Sequence, residues 1–180
     1  MAKKDDKMRS SPLKIYLGEL NHTPLGDLRV AASDAGLVAV EWADAHLELD
    51  AYLLRLSGMV EANQKRVQPY VRELSEYIKG RRREFTFDID WKTLKPFQLR
   101  SLKAVYAIPY GEIRTYADIA AQIGHPRAFR AVGRANATNP MPLVIPCHRV
   151  IGTDGKLHGY GGGDGLPTKE WLLKMERAKA

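Results

Sequence analysis

The only cysteine of this chain lies in the stretch PCHRV, residues 146–150, among side chains that could activate a thiol. A thiol reacts as its thiolate, and a cationic or hydrogen-bonding neighbour lowers its pKa. His148 and Arg149 follow Cys147 directly, and Pro146 restricts the backbone before it. A lone cysteine is, however, more often a buried and inert apolar residue. The stretch therefore leaves two interpretations open, an activated nucleophile and an inert core thiol.

The single cysteine and the absence of long apolar runs narrow the classes of protein. One cysteine excludes an internal disulfide and any cysteine-rich zinc site. The start, residues 1–11, carries charge but no apolar core of a secretory signal, which predicts a disordered tail. No apolar run approaches the length of a membrane span. We therefore expect a cytoplasmic protein without a metal site and without a membrane segment.

The net charge of +7 is concentrated in the second half of the chain. Residues 1–90 hold 14 Lys and Arg against 15 Asp and Glu, whereas residues 91–180 hold 14 against 6. A basic half joined to a neutral one suggests a polyanionic partner. A basic surface without any partner explains the same numbers.

A helix-turn-helix is predicted for residues 115–140. Thr115 can cap a helix and Asp118 completes a capping box, while Gly124 suits the end of that helix. Pro126 suits the first turn of a second helix. Two short helices joined by a tight turn are typical of DNA-binding proteins, although many helical hairpins share the pattern.

The second of these helices is predicted to carry three arginines on one face. Arg127, Arg130 and Arg134 are spaced i, i+3 and i+7, and the small Ala131 and Gly133 would let a partner approach the backbone. A solvated basic face gives the same spacing. The uneven charge of the chain favours nucleic acid as the partner.

The remaining patterns predict the elements that position these residues. Alternation indicates strands at residues 13–17 and 83–91 and a hairpin at 28–42, and helical spacing indicates helices at 67–78 and 94–105. The apolar residues 142–145 favour an extended segment that leads to the thiol. Residues 159–165, GYGGGDG, form a glycine-rich loop without the spacing of a phosphate-binding loop.

Several segments of the second half resemble the O6-alkylguanine-DNA alkyltransferases in order and approximate spacing. The resemblance covers residues 90–177, and the first half matches only in its α/β character. The segments are NPMPLVIPCHRVIG, IPYGEIRTYADIA, RAVGRANATNP, GYGGG and KEWLLKMER. The specificity of the PCHRV segment favours the nucleophile over the inert thiol.

The resemblance implies an α/β fold class: a small strand-rich α/β N-terminal domain, residues 12–90, followed by a mostly helical C-terminal domain, residues 91–180. The second domain is expected to contain a winged-helix-like helix-turn-helix. Both domains belong to a protein that is expected to act as a monomer and to need no cofactor.

The resemblance also implies a role for each residue of a catalytic group. Cys147 would take the alkyl group from O6 of a damaged guanine and be consumed in one turnover. His148 would act on the thiol as a base through a water, and Glu176 would orient the histidine. Asn139 would brace the active-site turn, and Tyr116 would rotate the 3′ phosphate and donate a proton to the departing guanine.

The implied partner is double-stranded DNA with an alkylated guanine, bound through its minor groove. Arg130 would enter the base stack in place of the flipped nucleotide, and Ala131 and Gly133 would suit the narrow groove. The other DNA-binding residues are Arg127, Arg134 and Thr153, and the substrate pocket comprises Val150, Tyr160 and Gly161. Many members have serine where this chain has Gly161, so the size of the accepted alkyl group stays open.

Three other functions are compatible with parts of the sequence. An alkyltransferase-like protein that binds damage without repair typically lacks the cysteine, so Cys147 argues against it. A helix-turn-helix regulator explains the arginines but not PCHRV together with Glu176. A cysteine hydrolase usually takes its histidine from elsewhere in the sequence and would have no use for the DNA-binding helix.

Overall fold

A four-stranded sheet forms the first part of the computed structural model, which describes residues 12–56 and 59–177. Its strands are β1 Lys14–Leu20, β2 Leu28–Ser33, β3 Gly36–Trp42 and β4 Met59–Ala62. Their spatial order is β3-β2-β1-β4, with β1/β2 and β2/β3 antiparallel and β1/β4 parallel. The predicted first strand and the hairpin at 28–42 are confirmed.

Two helices cover the sheet, α1 (His46–Arg55) and α2 (Gln64–Ile78). The predicted helix at 67–78 is confirmed, and it begins earlier because the side chain of Asn63 accepts a hydrogen bond from the backbone N–H of Arg66. Gly18 of β1 lets α2 pack closely, since a Cβ there would lie 2.3 Å from Cγ2 of Val67. Neither α1 nor β4 is predicted from the sequence pattern.

The strand predicted at 83–91 is wrong. Only Ile89 forms a bridge, to Leu37 at the start of β3. Upstream of it, Phe85 and Phe87 pack against tyrosines of α2 instead of joining the sheet. The backbone N–H of Thr86 donates to a carboxylate oxygen of α2 at 2.8 Å, so a side chain supplies the partner that a strand would have found in the sheet.

The second part of the chain is mostly helical, so the predicted fold class is confirmed. Two short strands pair in parallel between the helices, while the winged-helix-like form and the division at residue 91 stay predictions. No helix of the described residues is long and apolar enough to span a membrane. The elements are α3 Pro96–Tyr106, β5 Arg114–Thr115, α4 Tyr116–Gln122, α5 Phe129–Ala137, β6 Val150–Ile151 and α6 Leu166–Arg177.

The helix-turn-helix is confirmed in its first helix and corrected in its second. Thr115 and Asp118 form the predicted capping box of α4, and Gly124, with φ 78°, follows its end. The second helix, α5, begins at Phe129. Pro126 lies in a turn that precedes the helix. The backbone N–H of residue 128 donates to the carbonyl of residue 125 at 2.8 Å, and this turn accommodates the fixed φ of the proline.

This later start moves one of the three arginines off the helix. Arg127 lies in the turn, and only Arg130 and Arg134 are on α5, four residues apart on one side. The predicted single helical face of three arginines is therefore wrong.

Candidate active site

A buried turn presents the cysteine. Residues 141–145 form this turn, with φ 72° at Leu143, so the predicted extended segment at 142–145 is wrong. The side chain of Asn139 closes the turn: its Nδ2 donates to the carbonyl of Ile145 at 2.9 Å, and its Oδ1 accepts from the N–H of Met141 at 3.0 Å. The chain then enters a single 3₁₀ turn that begins at Cys147.

Burial raises the pKa of the Cys147 thiol above its usual value, although a hydrogen bond from Asn139 and the charge of Lys169 act in the opposite direction. The resting side chain is therefore a neutral thiol at neutral pH. A thiol in this state needs a base before it can act as a nucleophile.

His148 follows in the same 3₁₀ turn and is fully buried. Its Nε2 lies 2.9 Å from Oε1 of Glu176 on α6. A carboxylate can only accept, so Nε2 carries the proton and Nδ1 is the basic nitrogen. No group of the described residues hydrogen bonds with Nδ1. Burial lowers the pKa of His148 despite the neighbouring Glu176, which keeps the imidazole neutral.

Glu176 is the centre of the buried hydrogen-bond network. Arg149 binds it with two nitrogens, Nη2 to Oε1 at 2.8 Å and Nε to Oε2 at 2.9 Å. The N–H of Gly111 donates to Oε2 at 3.1 Å. Burial alone would raise the pKa of Glu176, but hydrogen bonds from His148 and Arg149 outweigh it and hold the pKa well below the usual range.

The network includes a residue from the first part of the chain. The hydroxyl of Tyr77, on α2, donates to Oε1 of Glu176 at 2.6 Å and lies 3.3 Å from Nε2 of His148. Tyr77 is not among the residues predicted from the sequence, because its spacing on α2 is that of an ordinary core residue.

Lys169 of α6 was also missed. Its side chain is fully buried, and Nζ donates to the carbonyls of Val150 at 2.7 Å and His158 at 3.1 Å. Burial lowers its pKa to about 8. Its place in the KEWLLKMER segment was the one signal available in the sequence.

A cavity of about 900 Å³ opens from Cys147 to the surface between the helix-turn-helix and the glycine-rich loop. Gly161 lines the cavity, and a Cβ there would lie 3.4 Å from the carbonyl of residue 137, at the near limit of ordinary van der Waals contact. The hydroxyl of Tyr116 donates to the carbonyl of His158 at 3.2 Å. Of the predicted residues, the cavity is lined by Tyr116, Arg130, Gly133, Cys147, Thr153, Tyr160 and Gly161.

Several predicted residues lie elsewhere. Val150, predicted for the substrate pocket, is fully buried in β6. Ala131 is exposed on α5. Arg127 and Arg134 are exposed and do not line the cavity. They and Arg130 form no ion pair with a carboxylate of the described residues, and we call these three residues the arginine surface.

Comparison with known proteins gives matches across both halves of the chain. Residues 16–91 match the family described as 6-O-methylguanine DNA methyltransferase, ribonuclease-like domain, and residues 96–178 match its DNA binding domain. The Methylated-DNA--protein-cysteine methyltransferase of Mycolicibacterium paratuberculosis is 43% identical over 155 residues, which is 86% of this chain and 88% of that protein.

Two solved structures from Mycobacterium tuberculosis show the same fold. The O6-methylguanine methyltransferase superimposes with a TM-score of 0.76 at 37% identity, covering 92% of this chain and 94% of that one. OGT in complex with DNA superimposes with a TM-score of 0.72 at 35% identity, covering 93% and 95%. The chain therefore belongs to the 6-O-methylguanine DNA methyltransferase family, as its sequence segments implied.

Proposed function

We propose that Cys147 accepts the alkyl group from O6 of an alkylguanine in double-stranded DNA, restoring guanine and consuming the protein. The observation that carries this proposal is the buried thiol at the end of an open cavity, followed by a histidine whose free nitrogen is basic. The family membership supplies the reaction class. The product is a thioether at Cys147. We expect the alkyl group to stay on the sulfur, so that each protein molecule acts once.

In the proposed step the alkyl carbon loses its bond to O6 of guanine and gains a bond to Sγ of Cys147. Nδ1 of His148 takes the thiol proton through a water, and Sγ attacks the alkyl carbon as the bond from that carbon to O6 breaks. Tyr116 gives its hydroxyl proton to the departing guanine, and the proton held on His148 returns through solvent to the tyrosinate, so that the thiol proton is the one finally gained by guanine. Glu176 stabilises the imidazolium that forms, because its ionised carboxylate accepts a hydrogen bond from Nε2–H of His148.

The proposed approach of the DNA follows from the position of O6 inside the base stack. The nucleotide must flip out, at a cost of a few kcal/mol that is smaller for a poorly paired alkylguanine. Arg130 at the cavity mouth would occupy the vacated stack, and α5 would lie in the minor groove. The protein is proposed to act as a monomer, and a cytoplasmic location stays a prediction.

The test is intact-mass measurement after incubation with a duplex that contains O6-methylguanine. We expect one methyl group on Cys147, one turnover per protein and restored guanine in the DNA. Cys147→Ser should take up no methyl group yet still bind the damaged duplex. Modification at another residue, or repeated turnover, would refute the proposal, and binding without any modification would favour a regulator or a damage-signalling protein.

A further inference from the structure

The strand-rich first part of the chain contributes a hydroxyl group to the buried network of the second part. Tyr77 is fully buried on α2, and its hydroxyl donates to Oε1 of Glu176 at 2.6 Å. We infer that Tyr77 is a positioning residue for alkyl transfer, whose hydroxyl limits how strongly Glu176 draws a proton onto His148. The inference rests on the proposed function, because it concerns the same base.

Tyr77 and His148 hydrogen bond with the same carboxylate oxygen of Glu176. Oε1 of Glu176 accepts from Tyr77 at 2.6 Å, from Nη2 of Arg149 at 2.8 Å and from Nε2 of His148 at 2.9 Å. Donors that share one carboxylate oxygen spread its charge, so each added donor weakens the attraction for the others. The phenol is uncharged and therefore adjusts the carboxylate without adding a positive charge to the site.

Among the described residues, the groups that face this pair lie on five segments. Glu176 is faced by Arg149 and His148 from the 3₁₀ turn, by Tyr77 from α2, and by the N–H of Gly111 and the ring of Tyr110 from the loop before β5. Tyr160 of the glycine-rich loop is also close enough to Glu176 to feel its charge, and His148 is close to the charge of Lys169 on α6. Of the groups named here, only Tyr77 comes from the first part of the chain.

Removal of the Tyr77 hydroxyl should shift the pKa of His148 in a definite direction. Without that donor, Oε1 carries more negative charge and stabilises the imidazolium form of His148, so the pKa of His148 rises. Because the reaction needs neutral His148 as its base, the acid limb of the rate profile moves to higher pH. Loss of packing alone would lower the rate at every pH by the same factor.

Tyr77→Phe is the suitable variant because the ring also packs in the core. Its centroid lies 5.3 Å from that of Phe85 and 6.4 Å from that of Tyr110, and phenylalanine keeps both contacts. Oε1 retains its donors from His148 and Arg149, so the variant should still fold. Tyr70→Phe is the matched control, since Tyr70 lies on the same helix and stacks on Phe87, outside the network.

The experiment measures single-turnover methyl transfer from a duplex between pH 5 and 9 for the wild-type protein and both variants. We expect Tyr77→Phe to be slower by about threefold or more at pH 6 and within twofold of wild type at pH 8.5, because only the ionisation of the base changes. Tyr70→Phe should follow the wild-type curve. An NMR titration of His148 in Tyr77→Phe gives the same shift without turnover.

A Tyr77→Phe profile that is lowered evenly at all pH values, or that coincides with the Tyr70→Phe profile, would overturn the inference. So would an unchanged titration of His148. These results differ from a failure of the proposed function, in which wild-type protein would transfer no methyl group to Cys147 at any pH.

Discussion

The buried network around Glu176 and the arginine surface at the cavity mouth use their polar groups in opposite ways. Within the network, Arg149 and His148 are buried and both bind the Glu176 carboxylate. On the arginine surface, Arg130 and Arg134 are exposed and pair with no carboxylate of the described residues. The Arg130 guanidinium lies over the ring of Phe129, at 5.6 Å from its centroid.

The difference follows from what each region must do. A base acting on a thiol must be neutral and correctly oriented before the substrate arrives, so its partners are fixed inside the protein. Cations that bind phosphates must release water and counterions when DNA arrives, so they are kept free of internal partners. The same residue type, arginine, is therefore structural at position 149 and available for a ligand at positions 130 and 134.

The largest expected effect comes from breaking the network. Arg149→Met should lower the free energy of unfolding by about 3–5 kcal/mol, because it leaves the Glu176 carboxylate buried without its cationic partner. The matched control is Arg114→Met, whose pair with Glu112 is largely exposed and should contribute less than about 1 kcal/mol. Urea denaturation measures both. Equal losses would mean that burial does not distinguish the two ion pairs.

A smaller effect is expected from Lys169, the buried cation that pairs with no carboxylate of the described residues. Its pKa is about 8 in the folded protein and near 10.5 unfolded, so the unfolded state binds the proton more tightly. Stability should therefore rise with pH between about 8 and 10.5, by about 2 kcal/mol. Lys169→Met should remove that rise.

The measurement is the free energy of unfolding at pH 7.5 and pH 10 for Lys169 and Lys169→Met proteins. Both should carry Cys147→Ser, because the raised pKa of the thiol would make stability fall as pH rises past its unfolded value. An identical pH dependence of the two proteins would show that Lys169 keeps its ordinary proton affinity and that its burial is compensated.

Much of the site could be predicted from the sequence where the signal is local. The capping box at Thr115 is confirmed because a cap depends on residues three positions apart. Cys147 and His148 are neighbours in one short motif, and Glu176 lies in a second short motif. Both motifs could therefore be recognised from contiguous residues. Tyr77 could not be predicted, since its spacing is that of a core residue and its partner is 99 residues away.

The errors in the fold have a common physical cause. Alternation at 83–91 correctly indicates that Phe85 and Phe87 turn inward, but the surface they pack against is a helix. The apolar run at 142–145 is buried in a turn that the side chain of Asn139 stabilises. An apolar pattern indicates which side chains are buried, whereas the partner of the backbone depends on tertiary structure.

On the arginine surface, Arg130→Ala tests whether an exposed arginine acts only when DNA is bound. We expect methyl transfer from a duplex to slow about tenfold, which corresponds to about 1.4 kcal/mol in the barrier for a flipped nucleotide. The reaction with free O6-benzylguanine needs no flipping and should be nearly unchanged. Arg134→Ala, on the same helix, is the comparison variant: it should weaken duplex binding but leave transfer from the bound duplex unchanged. If Arg130→Ala slows both reactions equally, Arg130 supports the active site rather than base flipping.

The smallest expected effects come from the two arginines that flank Arg130 in the sequence. Arg127→Gln and Arg134→Gln should each remove about one phosphate contact, so the slope of log affinity against log salt should shrink by about one. The loss should be equal for damaged and undamaged duplexes, because a phosphate contact carries no base information. Arg72→Gln, an exposed arginine on α2, should leave the slope unchanged.

The comparison of Arg127 with Arg134 also tests the corrected geometry. Arg127 lies in the turn before α5 and Arg134 lies in its last turn, so the two mark opposite ends of the helix along the DNA. Equal reductions of the slope would mean that the DNA backbone contacts both ends of α5. A reduction for Arg134→Gln alone would place the turn outside the interface, and the arginine surface would then consist of the two residues on the helix.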